Sequence, residues 1–308
     1  MPLFLGIDGG GSKTRSIIGD ETQLLGTGTS SGSNLLRVGE ACTRDSFSAA
    51  IHECCVQAGV SPQSISRTCA GVAGAAQAEV RDILERLLGE IVAGEIEVVG
   101  DMETALEAAF GAGPGVIVIA GTGSIAYGRN RRGETVRAGG WGRMISDEGS
   151  GHWIGVEAIG YALRAHTRGG HSLLLRSLMA ALDSQTVDDL IVRANASPTP
   201  DFASLFPAIL EASKSGDPDA AAVLGRAGGE LARLAEVAIE RLFRNEQEVE
   251  VAALGGVFSS STEVQHEFTE RLNAIAPKAR VVVKTVDPAL GAFERARRGF
   301  AARAQRSL

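Results

Sequence analysis

Cysteine is scarce: Cys42, Cys54, Cys55 and Cys69, all in the first quarter of a 308-residue chain. No C-x-x-C pair occurs, so neither a disulfide framework nor a zinc site is expected, and the four read as small buried apolar residues. No apolar run approaches 18 residues, so no membrane span is expected. Basic residues are in deficit, 30 against 37 acidic, for a net charge of −7. That argues against a nucleic-acid or anionic-membrane binder, which needs a basic footprint. The N-terminus opens directly into Leu3-Phe4-Leu5-Gly6-Ile7-Asp8, without a charged n-region or a small-residue cleavage site, so no signal peptide is expected. These absences point to a reducing cytoplasm.

What is plentiful is glycine, 39 of 308 residues, against a usual ~7 %. It shows no collagen period and gathers in short clusters. Apolar residues make up 44 %, enough for a sizeable core, and the length fits roughly two domains. The pattern alternates strands and helices. Pro2 to Ile7 is a short apolar strand that runs into Asp8 and three glycines. Arg15 to Gly19 and Gln23 to Gly28 read as a hairpin, Gly39 to Gln57 as a helix, Ile65 to Val72 as a strand. A helix over Ala75 to Leu88, a strand over Glu95 to Val99 and a helix over Asp101 to Phe110 follow. Gly111 to Gly115 marks a domain boundary.

Val116 to Ala120 then repeats the opening: an apolar strand, the glycine-rich turn Gly121-Thr122-Gly123-Ser124, and a hairpin over Ser124 to Gly128 and Glu134 to Ala138. The echo, about 113 residues on, suggests two related α/β halves facing one another; it is too long a period for a solenoid. Helices are expected over Glu148 to Thr167, Ser172 to Leu182, Val187 to Ala194, Asp201 to Ser213 and Asp217 to Phe243. Val249 to Leu254 and Val281 to Val283 read as strands, and Pro288 to Ala304 as a last helix.

Three glycine clusters follow directly on buried-looking strands: Asp8 to Thr14, Gly121 to Ser124, and Gly255-Gly256. Loops at the C-terminal ends of strands are where α/β folds bind ligands, and glycine lets backbone N–H groups approach an anion. The Walker pattern fails, because from Gly6 the lysine falls one place late at Lys13. The dinucleotide fingerprint over Gly121, Gly123 and Ala126 also fails, because a hairpin rather than a helix follows. What remains is a phosphate-binding turn inside a hairpin, made twice. Asp8 beside the first turn suits Mg²⁺ held through water. Asp101 reads equally as a proton acceptor for an attacking hydroxyl or as a helix cap. Asp147-Glu148-Gly149-Ser150 could likewise open a helix, and His152 and His166 show no metal spacing.

These strings, with Gly139-Gly140-Trp141-Gly142, resemble the BadF/BadG/BcrA/BcrD ATPase family, and within it the N-acetylglucosamine kinases. The resemblance runs from residue 3 to about 300. It implies two actin-like (ribonuclease H-like) α/β domains, residues 1–112 with a returning helix over 288–308, and 113–287, with ATP and Mg²⁺ in the cleft between them. It also implies that Gly10, Gly11, Ser12, Lys13, Thr14, Thr122 and Gly123 hold phosphates. Gly255, Gly256 and Ser259 or Ser260 would form the adenosine motif, flanked by Gly216. Asn34, Gly140, Trp141 and Asp147 would bind the sugar, and Asp101 would be the base on its 6-hydroxyl. The implied activity is phosphorylation of an amino sugar, N-acetylglucosamine first, with glucosamine, N-acetylmuramic acid or glucose as alternatives. Related kinases are often homodimers. A dehydratase-activator ATPase is disfavoured, because no cysteine follows Cys69; ROK kinases are disfavoured because their zinc motif is absent. A sugar sensor on the same fold is disfavoured by the presence of Asp8, Asp101 and Thr122 together.

Overall fold

The computed structural model describes residues 1–244 and 248–306; of the expected terminal segment 288–308, residues 307 and 308 lie outside the described residues. The chain divides into one unit of Met1–Gly113 with Val286–Leu308, and a second of Pro114–Thr285.

The first unit is a five-stranded sheet. Its strands are β1 (Leu3–Gly9), β2 (Lys13–Gly19), β3 (Leu24–Ser31), β4 (Ile65–Val72) and β5 (Glu95–Gly100), in the order β3-β2-β1-β4-β5. β1 pairs antiparallel with β2 and parallel with β4. Helices α1 (Leu35–Ala58), α2 (Ala78–Gly89) and α3 (Asp101–Phe110) connect and follow the strands. Alternation along β1 sends Leu5 and Ile7 to one face, against Phe47 and Ile51 of α1 and Leu84 and Leu88 of α2. Phe4 goes to the other face, with Ile17, Cys69, Val99 and the terminal helix α11 (Pro288–Arg306) through Phe293 and Ala296. α11 can lie this close only because position 6 is glycine: a Cβ there would stand 2.7 Å from Phe293 Cα.

The second unit holds β6 (Gly115–Ala120), β7 (Ser124–Arg129), β8 (Thr135–Gly139), β9 (Val249–Leu254) and β10 (Ala279–Val283), in the order β10-β9-β6-β7-β8. Read from the other edge, this order and its pattern of parallel and antiparallel pairs match the first sheet strand for strand. Five helices fill the long connection from β8 to β9: α4 (Gly151–Thr167), α5 (Leu173–Ala181), α6 (Val187–Ala194), α7 (Phe206–Lys214) and α8 (Pro218–Leu242). α9 (Gly256–Ser260) and α10 (Thr262–Ile275) follow β9.

Several elements differ from the sequence expectation. α1 begins at Leu35 and carries a kink at Gly39, whose φ is +80°. α4 begins at Gly151, capped by Ser150, so residues 140–149 form a loop rather than a first helical turn. The helix expected over 201–213 is a 3-10 turn over Phe202–Leu205 followed by α7, with Pro207 in its first turn. α10 was not anticipated, although Val264, Phe268 and Leu272 recur every four residues behind the Ser261 cap. Cys54, Cys55 and Cys69 are buried, whereas Cys42 is exposed, contrary to the expectation for all four. Among the described residues no helix is long and apolar enough to cross a membrane.

Candidate active site

The first glycine cluster is the turn between β1 and β2. Gly10 N–H donates to Lys13 C=O (2.9 Å), and Gly10 C=O accepts from the N–H groups of Ser33 (3.0 Å) and Asn34 (3.2 Å). The tip is therefore fixed, while the N–H groups of Gly11 and Ser12 have no partner among the described residues. Ser12 and Lys13 are exposed. Thr14 corrects an expectation. It is fully buried, its hydroxyl donates to Ser31 C=O (2.7 Å) and lies 2.8 Å from Ser33 Oγ. It braces the turn from beneath rather than facing a ligand.

The second cluster is the equivalent turn between β6 and β7. Gly121 N–H donates to Gly123 C=O (2.9 Å), and the carbonyls of Gly121 and Thr122 accept from the first N–H groups of α4, those of Gly151 (2.8 Å) and His152 (3.3 Å). The N–H groups of Thr122 and Gly123 again have no partner among the described residues. Each turn thus presents two consecutive free donors, the arrangement that binds phosphate oxygens. Gly255, at φ +99°, packs so tightly on the end of β6 that a Cβ would stand 2.8 Å from the carbonyl carbon of Ala120. The Gly255-Gly256 cluster therefore lies beside the Gly121 turn, at the C-terminal ends of the adjacent parallel strands β6 and β9. A Cβ on Gly121 or Gly256 would meet nothing within 4 Å, so the space over both is open for a ligand. Ser259 and Ser260 are exposed on α9. Gly216, at φ +87°, follows α7, whose Ser213 hydroxyl donates to Glu263 Oε1 (3.2 Å) just beyond α9. It lines a concavity of about 440 Å³ with His171, Arg176 and Asp219, which none of the other expected nucleotide residues lines.

Asp8 and Asp101 sit on the C-terminal edge of the first sheet, on either side of β4. Asp8 is in register with Gly71 of β4 and Arg15 of β2, and Asp101 follows Gly100, which pairs with Val72. Asp101 is the first helical residue rather than the cap, since Gly100 occupies the cap position and Glu103 accepts from its N–H (3.2 Å). Burial, reinforced by the negative charges of Asp101 and Asp287, pushes the Asp8 carboxyl up to about 7 against the pull of Arg15 and Lys13. Among the described residues no group of three His, Cys, Asp or Glu side chains is placed to hold a metal ion. Asp8 therefore fits Mg²⁺ only in the manner the sequence suggested, with waters and phosphate oxygens completing the shell.

Asn34 is the cap residue of α1, yet its side chain makes no capping bond, and Oδ1 is buried without a partner. An orphaned amide oxygen costs roughly 1–3 kcal/mol, a cost that a ligand hydroxyl would offset. In the second unit, Gly139, Gly140, Gly142, Asp147 and Gly149 all have positive φ, which turns residues 139–149 into a coiled loop. Asp147 is buried within it and accepts from the N–H groups of Gly142 and Ser124, so it ties the loop to the second glycine turn. Burial raises its pKa in spite of these bonds. Two of its lone-pair sites remain for a ligand. Trp141 is 62 % exposed. The Arg137 guanidinium stacks 4.5 Å from its ring centroid and bonds to the carbonyls of Gly139 and Gly140.

Sequence reasoning assigned nothing to Arg15 or Asp287, which meet across 272 positions in an ion pair of 3.0 Å, nor chemistry to His152. His152 is buried, with Nδ1 unpartnered and the ring edge-on to Phe202, and burial lowers its pKa. No local pattern marks any of the three.

The chain matches the BadF/BadG/BcrA/BcrD ATPase family over residues 5–296. It is 33 % identical over 301 residues to an N-acetylmuramic acid/N-acetylglucosamine kinase of Clostridium acetobutylicum, covering 95 % of this chain and 97 % of the other. It is 29 % identical to an N-acetyl-D-glucosamine kinase of Dictyostelium discoideum, covering 94 % and 96 %. The solved structure of a candidate N-acetylglucosamine kinase from Chromobacterium violaceum superposes with a TM-score of 0.78 at 26 % identity, covering 95 % and 98 %. The repeated sheet, the paired glycine turns and these similarities agree: with two α/β units of actin-like fold, the chain belongs to the BadF/BadG/BcrA/BcrD ATPase family.

Proposed function

We propose that this protein is an ATP-dependent kinase that transfers the γ-phosphoryl group to the 6-hydroxyl of an amino sugar, N-acetylglucosamine first and N-acetylmuramic acid second. The observation that carries the reading is the duplicated turn with two free consecutive N–H groups, Gly11 with Ser12 and Thr122 with Gly123. The kinase names of the two curated relatives support the substrate class.

In this reading the free N–H groups, with the Ser12 hydroxyl and the Lys13 ammonium, hold phosphate oxygens, and Gly10, fixed by its own backbone bonds, holds the tip in place for them. Gly255, Gly256 and Ser259 face the nucleoside, and Gly216 flanks it. When bound, Mg²⁺ would neutralise phosphate charge, held through water by Asp8. Asn34 Oδ1 accepts from a sugar hydroxyl. Trp141 offers its free face to the ring above Gly140, and Asp147 steadies the loop and offers its remaining lone pairs. Asp101 accepts the proton of the 6-hydroxyl as its oxygen attacks phosphorus. Such catalysis rests on positioning and charge neutralisation. A protein that draws on ATP in this way belongs in the cytoplasm.

A coupled assay of ADP release across N-acetylglucosamine, N-acetylmuramic acid, glucosamine and glucose tests the reading. Asp101→Asn is expected to retain sugar binding and to lose about 100-fold or more in turnover, as removal of a general base does. Near-normal turnover in that variant removes Asp101 from its role. ATP binding without ADP formation from any of the sugars favours a sensor.

A further inference from the structure

The roles above use Asp8 and Lys13 but leave Arg15 and Asp287 unexplained in a charged concavity within the first unit. It measures about 370 Å³ and is lined by Asp8, Lys13, Arg15, Val286, Asp287 and Pro288. Asp8 and Arg15 oppose each other directly in the β1–β2 ladder, so their side chains leave the sheet on one face, and Lys13, two residues before Arg15, leaves on the same face. Asp287 reaches this place from the other end of the sequence. Its Oδ1 accepts from Ala289 N–H (3.2 Å) in the first turn of α11, and its Oδ2 accepts from Arg15 Nε (3.0 Å). One carboxylate oxygen is thus fixed by the helix, and the other fixes the guanidinium.

The mode of pairing is informative. An arginine whose work is only to clamp a carboxylate commonly forms the two-pronged pair. Arg15 uses Nε alone. Among the described residues its terminal nitrogens Nη1 and Nη2 have no partner, which leaves four N–H donors unspent on a side chain that is about a third exposed. They belong to a group that lines the concavity beside the first phosphate turn.

We propose that Arg15 is a phosphate-binding residue of this site, and that Asp287 is the positioning residue that holds its guanidinium there. The ligand class is a nucleotide phosphoryl group. The inference extends the ATP-dependent reading by one cation that the glycine-turn pattern does not contain. It also gives the stretch before α11 a function besides connecting the units, since the residue that caps the helix also aims the arginine.

The test uses the full chain and four variants: Arg15→Met, Arg15→Lys, Asp287→Asn and the double variant Arg15→Met with Asp287→Asn. Asparagine keeps an oxygen for the α11 cap and removes the charge. ATP and ADP binding are measured by titration calorimetry without sugar, beside thermal unfolding and kcat and KM. Arg15→Met is expected to weaken ATP binding about tenfold or more, the scale of a lost charged hydrogen bond. Arg15→Lys keeps the charge without the fork and is expected to fall between. Asp287→Asn is expected to weaken ATP binding about threefold to tenfold, with no further loss on top of Arg15→Met, the non-additivity of residues acting as a unit. ATP affinity within twofold of the parent in both Arg15 variants overturns the proposal and leaves the pair as a clamp on α11. Additive losses overturn the positioning role of Asp287. A parent that binds ATP in an Arg15-dependent way but phosphorylates no sugar sinks the sugar-kinase reading and leaves this proposal standing.

Discussion

Replacing Asp8 with asparagine should stabilise the metal-free protein at pH 8, and less than half as much at pH 5. The Asp8 carboxyl titrates near 7 in the folded chain, against 3.8 for an unperturbed aspartate. A raised carboxylate pKa means that the folded state holds the proton more tightly than the unfolded state does. Its contribution is therefore intact below pH ~4 and is lost as the pH rises through 7. Three units at about 1.36 kcal/mol each set an upper bound of about 4 kcal/mol on that loss. The neighbouring Arg15 and Asp287 side chains are about a third exposed, and solvent screening brings the expectation to about 2 kcal/mol. For a protein of this size that is a rise of roughly 4–8 °C in Tm for Asp8→Asn at pH 8. Differential scanning calorimetry in EDTA, at pH 5 and pH 8, reads it directly. A variant that melts at or below the parent at pH 8, or shifts equally at both pH values, refutes the reasoning. On the proposed role of Asp8 in holding Mg²⁺, the same variant should also lose activity, because a bound cation would offset the burial and repulsion that destabilise the ionised carboxylate.

Other outcomes follow from single contacts. Gly6→Ala would set a methyl group against the backbone of Phe293 and should cost about 1–3 kcal/mol as an overpacked interface, read by urea denaturation. Thr14→Val preserves shape but leaves Ser31 C=O without its donor. It should cost about 1–2 kcal/mol of stability and weaken nucleotide binding by loosening the tip, measured by calorimetry. Trp141→Ala, at an exposed ring, should change stability by less than about 0.5 kcal/mol. It should raise the KM for the sugar about tenfold with kcat retained.

Much of the fold could be read locally. The strands Ile65–Val72 and Val249–Leu254 and the helices Asp101–Phe110 and Val187–Ala194 have the limits their patterns predict, because β-branched runs and glycine punctuation act over a few residues. The repeated strand, turn and hairpin could be recognised for the same reason, and the matching strand orders bear it out. Other features depend on partners far away. Thr14 looks like a ligand hydroxyl in sequence, and only the position of β3 shows that Ser31 and Ser33 consume it. The orphaned oxygen of Asn34 is set by packing, and no spacing records it. Arg15 and Asp287 meet because α11 returns to the sheet that begins the chain. Asp147 reads as the start of a helix, but its positive φ and its bonds to Gly142 and Ser124 make it the knot of a loop.

That return of α11 governs the order in which the protein can be made. The second unit is continuous and has all its strands once residue 285 has been synthesised. The first cannot cover Phe4, Ile17, Cys69 and Val99 until Phe293 and Ala296 emerge, nearly 300 residues after β1. A growing chain thus carries an uncovered apolar sheet face through almost the whole of translation, a surface of the kind that chaperones hold. The half synthesised first is the half completed last.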